Sequence, residues 1–224
     1  MINELLLLVN ILLVSGAAIL ALWLGEQALI TFVSLTMVLA NLFVVKQTTF
    51  FGLNATTADA LAVGSMLGLN LLQEFMGQRS AKLSIGITFF ALIFYAISAQ
   101  IQLWYIPSSM DSSHANFESV LSYAPGLVIG SFVIYLLAQI MDLIIYGILN
   151  RAWNKRFMIL RNYIAIGLSQ LADTIMFSLW LLFLGIITNP ISIIAVSFAI
   201  KFLVTLIATP IISFAATRIK EHRG

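Results

Sequence analysis

The chain of 224 residues is 61% hydrophobic and 9% charged, with a formal net charge of +2 and no cysteine. A soluble domain carries about one quarter charged residues, so the composition excludes a water-solvated shell and puts the apolar surplus against lipid. It also excludes disulfides, thiolate metal sites and a cysteine nucleophile, and it leaves no basic footprint for a nucleic-acid partner.

Seven apolar segments follow one another: Leu5–Leu24, Ala28–Val45, Thr57–Phe75, Leu83–Ile106, Ala124–Leu149, Tyr163–Ile187 and Ile191–Ala216. About 20 residues of helix cross a hydrocarbon core of ~30 Å, and most of the segments reach that length. The first is preceded by Asn3 and Glu4 rather than by a basic stretch, and reads as a retained helix and not a cleaved signal. The third is rich in small and polar residues, among them Asp59, Gly64, Ser65, Gly68, Asn70, Gln73 and Glu74. Small residues permit close helix approach and polar ones avoid lipid, so this segment faces the bundle. Connections are short, which predicts antiparallel neighbours. The exception is Pro107–Tyr123, an aqueous loop with room for one helical turn. The chain is predicted to be all-α, a polytopic membrane helix bundle forming one domain over residues 1–224.

The basic residues are unevenly shared. Arg79, Lys82, Arg151, Lys155, Arg156, Arg161, Arg218, Lys220 and Arg223 fall on one side if segments two to seven all span, and only Lys46 falls on the other. The excess marks the cytoplasmic side, which predicts a cytoplasmic C-terminus in a bacterial inner membrane. Trp23, Trp104, Tyr105, Tyr123 and Trp153 stand near segment ends, as interfacial aromatic belts do.

An ionised side chain at the centre of a membrane helix costs about 2.5–3.5 kcal/mol on insertion scales, so such residues need partners or a task. Ser131, Tyr135, Gln139, Asp142 and Tyr146 share one face of segment five. Gln170, Asp173, Thr174 and Phe177 form a stripe on segment six, and Lys201, Thr205 and Thr209 one on segment seven. Asn70, Gln73, Glu74 and Gly77 belong to segment three, and Asn41 to segment two. The economical packing turns these stripes toward one interior cavity, where Glu74, Asp142, Asp173 and Lys201 neutralise one another and a substrate or ion passes. The plainer alternative for Asp173 and Lys201 is a buried ion pair that only sets helix register, and the amides alone also serve as interhelical glue.

Enzyme chemistry fits poorly. The only histidines, His114 and His222, lie outside the apolar segments, so an intramembrane serine protease lacks its base. Asp142 follows Met141 and Asp173 follows Ala172, without the Tyr-Asp and Gly-x-Gly-Asp patterns of aspartyl intramembrane proteases. There is no Gly-rich phosphate loop and no cluster of metal ligands, so no cofactor is expected.

The ordered set of motifs resembles a known family. Asn70-x-x-x-Glu74-x-x-Gly77 precedes the basic Arg79 and Lys82, and Ser131-Phe132-x-x-Tyr135-x-x-x-Gln139-x-x-Asp142 follows. Then come Arg161, Ser169-Gln170-x-x-Asp173-Thr174 with Phe177 beyond, and Lys201 in the last segment. Together they resemble the bacterial queuosine precursor transporter family, the vitamin uptake transporter-like membrane proteins. The resemblance implies six core transmembrane helices, with the first segment as an additional N-terminal helix. It implies import of a 7-deazaguanine (7-cyano-7-deazaguanine, its aminomethyl relative or queuine) salvaged for modification of the tRNA wobble guanosine. Such a nucleobase-like substrate is flat, with N1–H and exocyclic NH₂ donors beside an O6 acceptor. On this reading Asp173 or Glu74 takes the donor edge, Gln170, Gln139 and Asn41 take the remaining edges, and Asn70 belongs to the same substrate-binding set. Tyr135 and Phe177 stack on the ring, and Asp142 and Lys201 form a charge-balancing or gating pair. Two other readings stay open: a substrate-binding subunit of an ATP-driven vitamin importer, and a non-transporting membrane assembly factor. A homodimer interface is a further place for the polar stripes.

Overall fold

The computed structural model describes residues 2–44, 46–50, 52–122, 125–183 and 190–223. Helices α1 (Ile2–Leu24) and α2 (Glu26–Phe43) are followed by a hairpin of β1 (Gln47–Phe50) and β2 (Leu53–Thr56). Then come α3 (Asp59–Leu71), which runs on as a π-helical turn over Leu72–Met76, α4 (Gln78–Trp104), the short α5 (His114–Leu121), α6 (Pro125–Ala152), α7 (Met158–Phe183) and α8 (Pro190–Arg223). Among the described residues, five helices carry stretches long and apolar enough to cross a membrane: α1, α2, α4, α6 from Phe132 and α8 over Ser197–Ala215. At 1.5 Å per residue, the 26 residues of α7 reach ~39 Å. The segment ends Val45, Tyr123, Ala124 and Ile187, and the side chains of Ser131, Arg218, Lys220 and Arg223, lie outside the described residues.

Helix α3 is the axis of the molecule. Twelve of its 13 residues are buried. Around it the long helices close a ring in the order α1, α2, α4, α6, α7, α8 and back to α1. The central position accounts for the composition of α3: a helix that touches no lipid does not need a lipid-compatible surface. Gly64 and Gly68 stand one turn apart on it. A Cβ at Gly64 would overlap Cγ1 of Val14 on α1, and one at Gly68 would lie 2.8 Å from Cγ2 of Val33 on α2. Glycine at both positions lets three backbones approach within side-chain distance. The outer surfaces are apolar where they meet lipid, with Leu12 and Leu20 of α1, and Phe90, Phe94 and Ile97 of α4, more than half exposed.

Helix α1, expected as an addition to a six-helix core, is a full member of the ring. It buries Ile11, Val14, Ala18 and Leu22. The amide of Asn3 donates to the Thr49 carbonyl at 3.0 Å, which joins the start of α1 to the hairpin after α2. Both helices therefore cross the whole bundle, antiparallel about the turn at Gly25 (φ 113°). The hairpin itself departs from the expected short connection. It pairs Gln47 with Thr56 and Phe50 with Leu53, and its Phe50 is buried. Thr48, Thr49 and Phe50 are residue types that suit a strand, but four-residue strands are too brief for period 2 to show above the flanking apolar segments.

At the opposite end, the turn between α6 and α7 holds Asn154, Lys155 and Phe157 at φ values of 47°, 61° and 56°. Left-handed backbone costs non-glycine residues roughly 1–3 kcal/mol each unless the surroundings impose it. Here Arg161, fully buried at the start of α7, donates from Nη2 to the Lys155 carbonyl at 3.1 Å.

Candidate functional site

The buried polar side chains form three tiers along α3. The outermost tier is the pair of Lys201 and Asp173, with Nζ 2.6 Å from Oδ2. It ties α8 to α7, and Asp59, at the start of α3, adds its field to Lys201. The family resemblance implies a pair of Lys201 with Asp142; in the fold Lys201 is engaged by Asp173, the buried ion pair that is the plainer alternative from sequence. Asp173 lies in the second half of α7 and Lys201 in the first half of α8, and the two helices run antiparallel, which brings them level. Phe177 is half-buried one turn beyond Asp173.

The middle tier is an amide and hydroxyl network. Gln139 Nε2 donates to the Tyr135 hydroxyl at 2.6 Å and to Ser65 Oγ at 3.2 Å, and Ser65 and Tyr135 are themselves 3.2 Å apart. Thr88 of α4 adjoins the Tyr135 hydroxyl and shares a 3.0 Å hydrogen bond with Ser34 of α2. Gln170 of α7 lies against Met66, with Nε2 3.1 Å from the sulfur. One turn inward, Asn70 of α3 stands beside Asp142 of α6, both at 0% exposure. Oε1 of Gln139 and Oε1 of Gln170 have no hydrogen bond to any described residue, while the Asn70 amide and the Asp142 carboxyl face each other. Tyr135, expected to stack on a ring, is instead tethered through its hydroxyl. Asn41, expected on a substrate edge, is outside this tier: it is half-buried near the end of α2, with its Nδ2 on the carbonyl of Met37 at 3.0 Å.

The innermost tier is a closed latch. Arg161 grips Glu74 with both guanidinium nitrogens, at 2.8 and 3.1 Å. Its guanidinium lies 5.0 Å from the centre of the Tyr146 ring and also donates to Asn150. Tyr146 in turn donates to Glu74 at 3.2 Å. The sequence pattern sets Glu74 on a substrate edge; its carboxylate here serves Arg161. The π-helical turn presents Gln73 as well as Glu74 to α6. With its amide turned to match donors to acceptors, Gln73 donates to the Leu143 carbonyl at 3.3 Å and accepts from the Gly147 N–H at 3.1 Å. Gly147 leaves room for that amide, since a Cβ there would stand 2.8 Å from it.

Of the ten expected residues, the structure therefore brings Asn70, Tyr135, Gln139, Asp142 and Gln170 together at mid-depth. It places Asp173, Lys201 and Phe177 toward one end and Glu74 at the other, and leaves Asn41 apart. In the sequence Arg161 counts with the basic rim; in the fold it is an interior partner. Ser34 and Thr88 are not singled out by the sequence pattern alone. Thr88 carries a readable signal, because Ser80, Ser84 and Thr88 recur every four residues along α4 and all three are buried. Among the described residues no group of three or more His, Cys, Asp or Glu could hold a metal ion.

The family described as "Putative vitamin uptake transporter" matches residues 58–215, a stretch that contains all three tiers. The chain belongs to the vitamin uptake transporter family. A relative in this family, the "Probable queuosine precursor transporter" of Bacillus subtilis (strain 168), is 30% identical over 189 residues. The match covers 83% of this chain and 82% of that protein. No solved structure matches the chain. As a vitamin uptake transporter family member with membrane-spanning helices, the protein is a multi-pass membrane transporter. The family match begins just before α3, so α1 and α2 close the ring from outside the matched region.

Proposed function

We propose that this transporter imports a queuosine precursor, a 7-deazaguanine, through the middle tier around α3. The observation that carries the reading is the pair of buried amide oxygens left without partners on two helices, Oε1 of Gln139 and Oε1 of Gln170, with the Asn70 amide of a third helix beside Asp142. A buried polar group without a hydrogen bond costs about 1–3 kcal/mol, so buried amide oxygens left without partners favour a ligand with complementary donors. Two carbonyl oxygens suit the N1–H and exocyclic NH₂ of a deazaguanine, and the Asn70 amide can donate to O6 while its oxygen takes another N–H. The name of the Bacillus subtilis relative agrees with this edge chemistry. Asp173 and Lys201, 20% and 12% exposed, line the approach on this reading. The excess of Lys and Arg at the Glu74 end supports an orientation with the C-terminus in the cytoplasm.

The test is uptake by cells that make no queuosine precursor. They would express this protein, receive each deazaguanine in turn, and be scored for queuosine in tRNA on boronate gels. Restoration by one base is the expected result and names the substrate. No restoration by any of them, with the protein present in the membrane, would sink the proposal.

A further inference from the structure

Helices α3, with its π-helical turn, α6 and α7 carry four carboxylates, and three are engaged. Glu74 is gripped by Arg161, Asp173 is held by Lys201, and Asp59 lies in the field of the same lysine. Asp142 differs: it is at 0% exposure and pairs with no cation among the described residues, and what stands within hydrogen-bonding reach of it is the neutral amide of Asn70. The helices packed on α6 supply no cation for it among the described residues. From α3 it is faced by the neutral Asn70, with Glu74 a turn further in. From α7, Arg161 is committed to Glu74 and Asp173 to Lys201. Helix α4 buries Ser80, Ser84 and Thr88 and no charged residue. On α6 itself the adjoining titratable groups are Tyr135 and Tyr146, whose hydroxyls bond Ser65 and Glu74.

We propose that Asp142 is the coupling residue of the transporter, taking up one proton from the outer side together with the substrate and releasing it to the cytoplasm. An ionised carboxylate in a water-poor interior with no cation to pair with carries a penalty of several kcal/mol. The closed bundle is therefore compatible with a neutral acid at this position. In a bacterial membrane the proton gradient points inward, so energised import requires the proton to travel in the same direction as the substrate. Asp142 is placed for this role, one helical turn from the Gln139 amide and one turn from Tyr146 on the inner latch. Its proton and the substrate thus share one closed compartment. The charge balance is simple: each cycle with a neutral deazaguanine carries one positive charge inward, Asp142 gives up its proton when the bundle opens to the cytoplasm, and the empty carrier reorients with the carboxylate ionised and facing the Asn70 amide. The inference rests on the substrate reading above.

Purified protein in liposomes, with 7-cyano-7-deazaguanine as the probe, separates the two. Wild type is expected to exchange internal for external base at equal pH, and to accumulate base when the outside is made one pH unit more acidic, toward a limit of about tenfold for one proton. Asp142→Asn should retain exchange and lose the accumulation, while Asp142→Glu should keep both. Infrared spectra of the protein in lipid give an arm that needs no substrate: the C=O band of a protonated carboxylic acid should be present in wild type and missing in Asp142→Asn. If Asp142→Asn does not fold, the Glu variant and the wild-type gradient dependence still decide. Accumulation that follows a sodium gradient and ignores pH would overturn the proposal, as would pH-driven accumulation that survives in Asp142→Asn. If no deazaguanine is exchanged at all, the substrate reading falls, and this inference with it.

Discussion

Arg161 and Glu74 meet in a two-pronged ion pair that joins the first turn of α7 to the π-helical end of α3, with Nη1 2.8 Å from Oε2 and Nη2 3.1 Å from Oε1. The arginine is fully buried and the glutamate side chain is 9% exposed. Both charges therefore depend on each other and on Tyr146, Asn150 and the Lys155 carbonyl.

Breaking that pair from one side leaves a buried charge. Arg161→Met is expected to destabilise the protein by about 3–5 kcal/mol, read as a lowered unfolding temperature in detergent. The double variant Glu74→Gln with Arg161→Met should recover most of the loss, because no charge is then stranded. Arg161→Lys should recover little, since an ammonium cannot reproduce the fork. A single variant as stable as wild type would show that the pair is dispensable.

The contact between α1 and α3 turns on Gly64. Gly64→Ala forces its new methyl into Val14 and should cost about 1–3 kcal/mol of stability. Val14→Ala in the same chain should restore most of it. Gly86, where an added Cβ would meet nothing within 4 Å, is the control: Gly86→Ala should be neutral. Equal effects at Gly64 and Gly86 would rule out the packing explanation.

The amides of the middle tier carry a graded prediction. Gln139→Leu and Gln170→Leu each remove about 1–3 kcal/mol of hydrogen bonding to a bound base, so uptake at limiting substrate should fall roughly ten- to a hundredfold at unchanged membrane abundance. Asn41→Leu, whose amide is spent on its own helix, should change uptake little. A loss at Asn41 equal to that at Gln139 would move the substrate site to the end of α2.

The orientation can be read by labelling, since the chain has no native cysteine. Ser112→Cys, in the loop between α4 and α5, should react with a membrane-impermeant maleimide in intact cells. Lys155→Cys, between α6 and α7, should react only after permeabilisation. The reverse pattern would invert the assignment.

The sequence alone determined the helices and the chemistry available on each. Length and apolarity mark the spans, and the period of 3.6 aligns Tyr135, Gln139 and Asp142 on one face, and Gln170 and Asp173 on another. The one-sided distribution of Lys and Arg marks one rim of the bundle. The polar and glycine content of α3 signals a helix screened from lipid. What only the tertiary structure decided is which stripe meets which. Of the two partners the sequence offered Lys201, the fold brings it Asp173; Glu74 is taken by Arg161, and α1 closes the ring beside α8. The reason is physical. Spacing within one helix is set by local backbone geometry, but lipid chains and leucine side chains are equally apolar, so hydrophobic pattern cannot tell a lipid-facing surface from a helix-facing one. The order of helices around α3, and their rotation about their own axes, is settled by steric details such as the bare backbone at Gly64 and Gly68 and by the depth at which buried charges find each other.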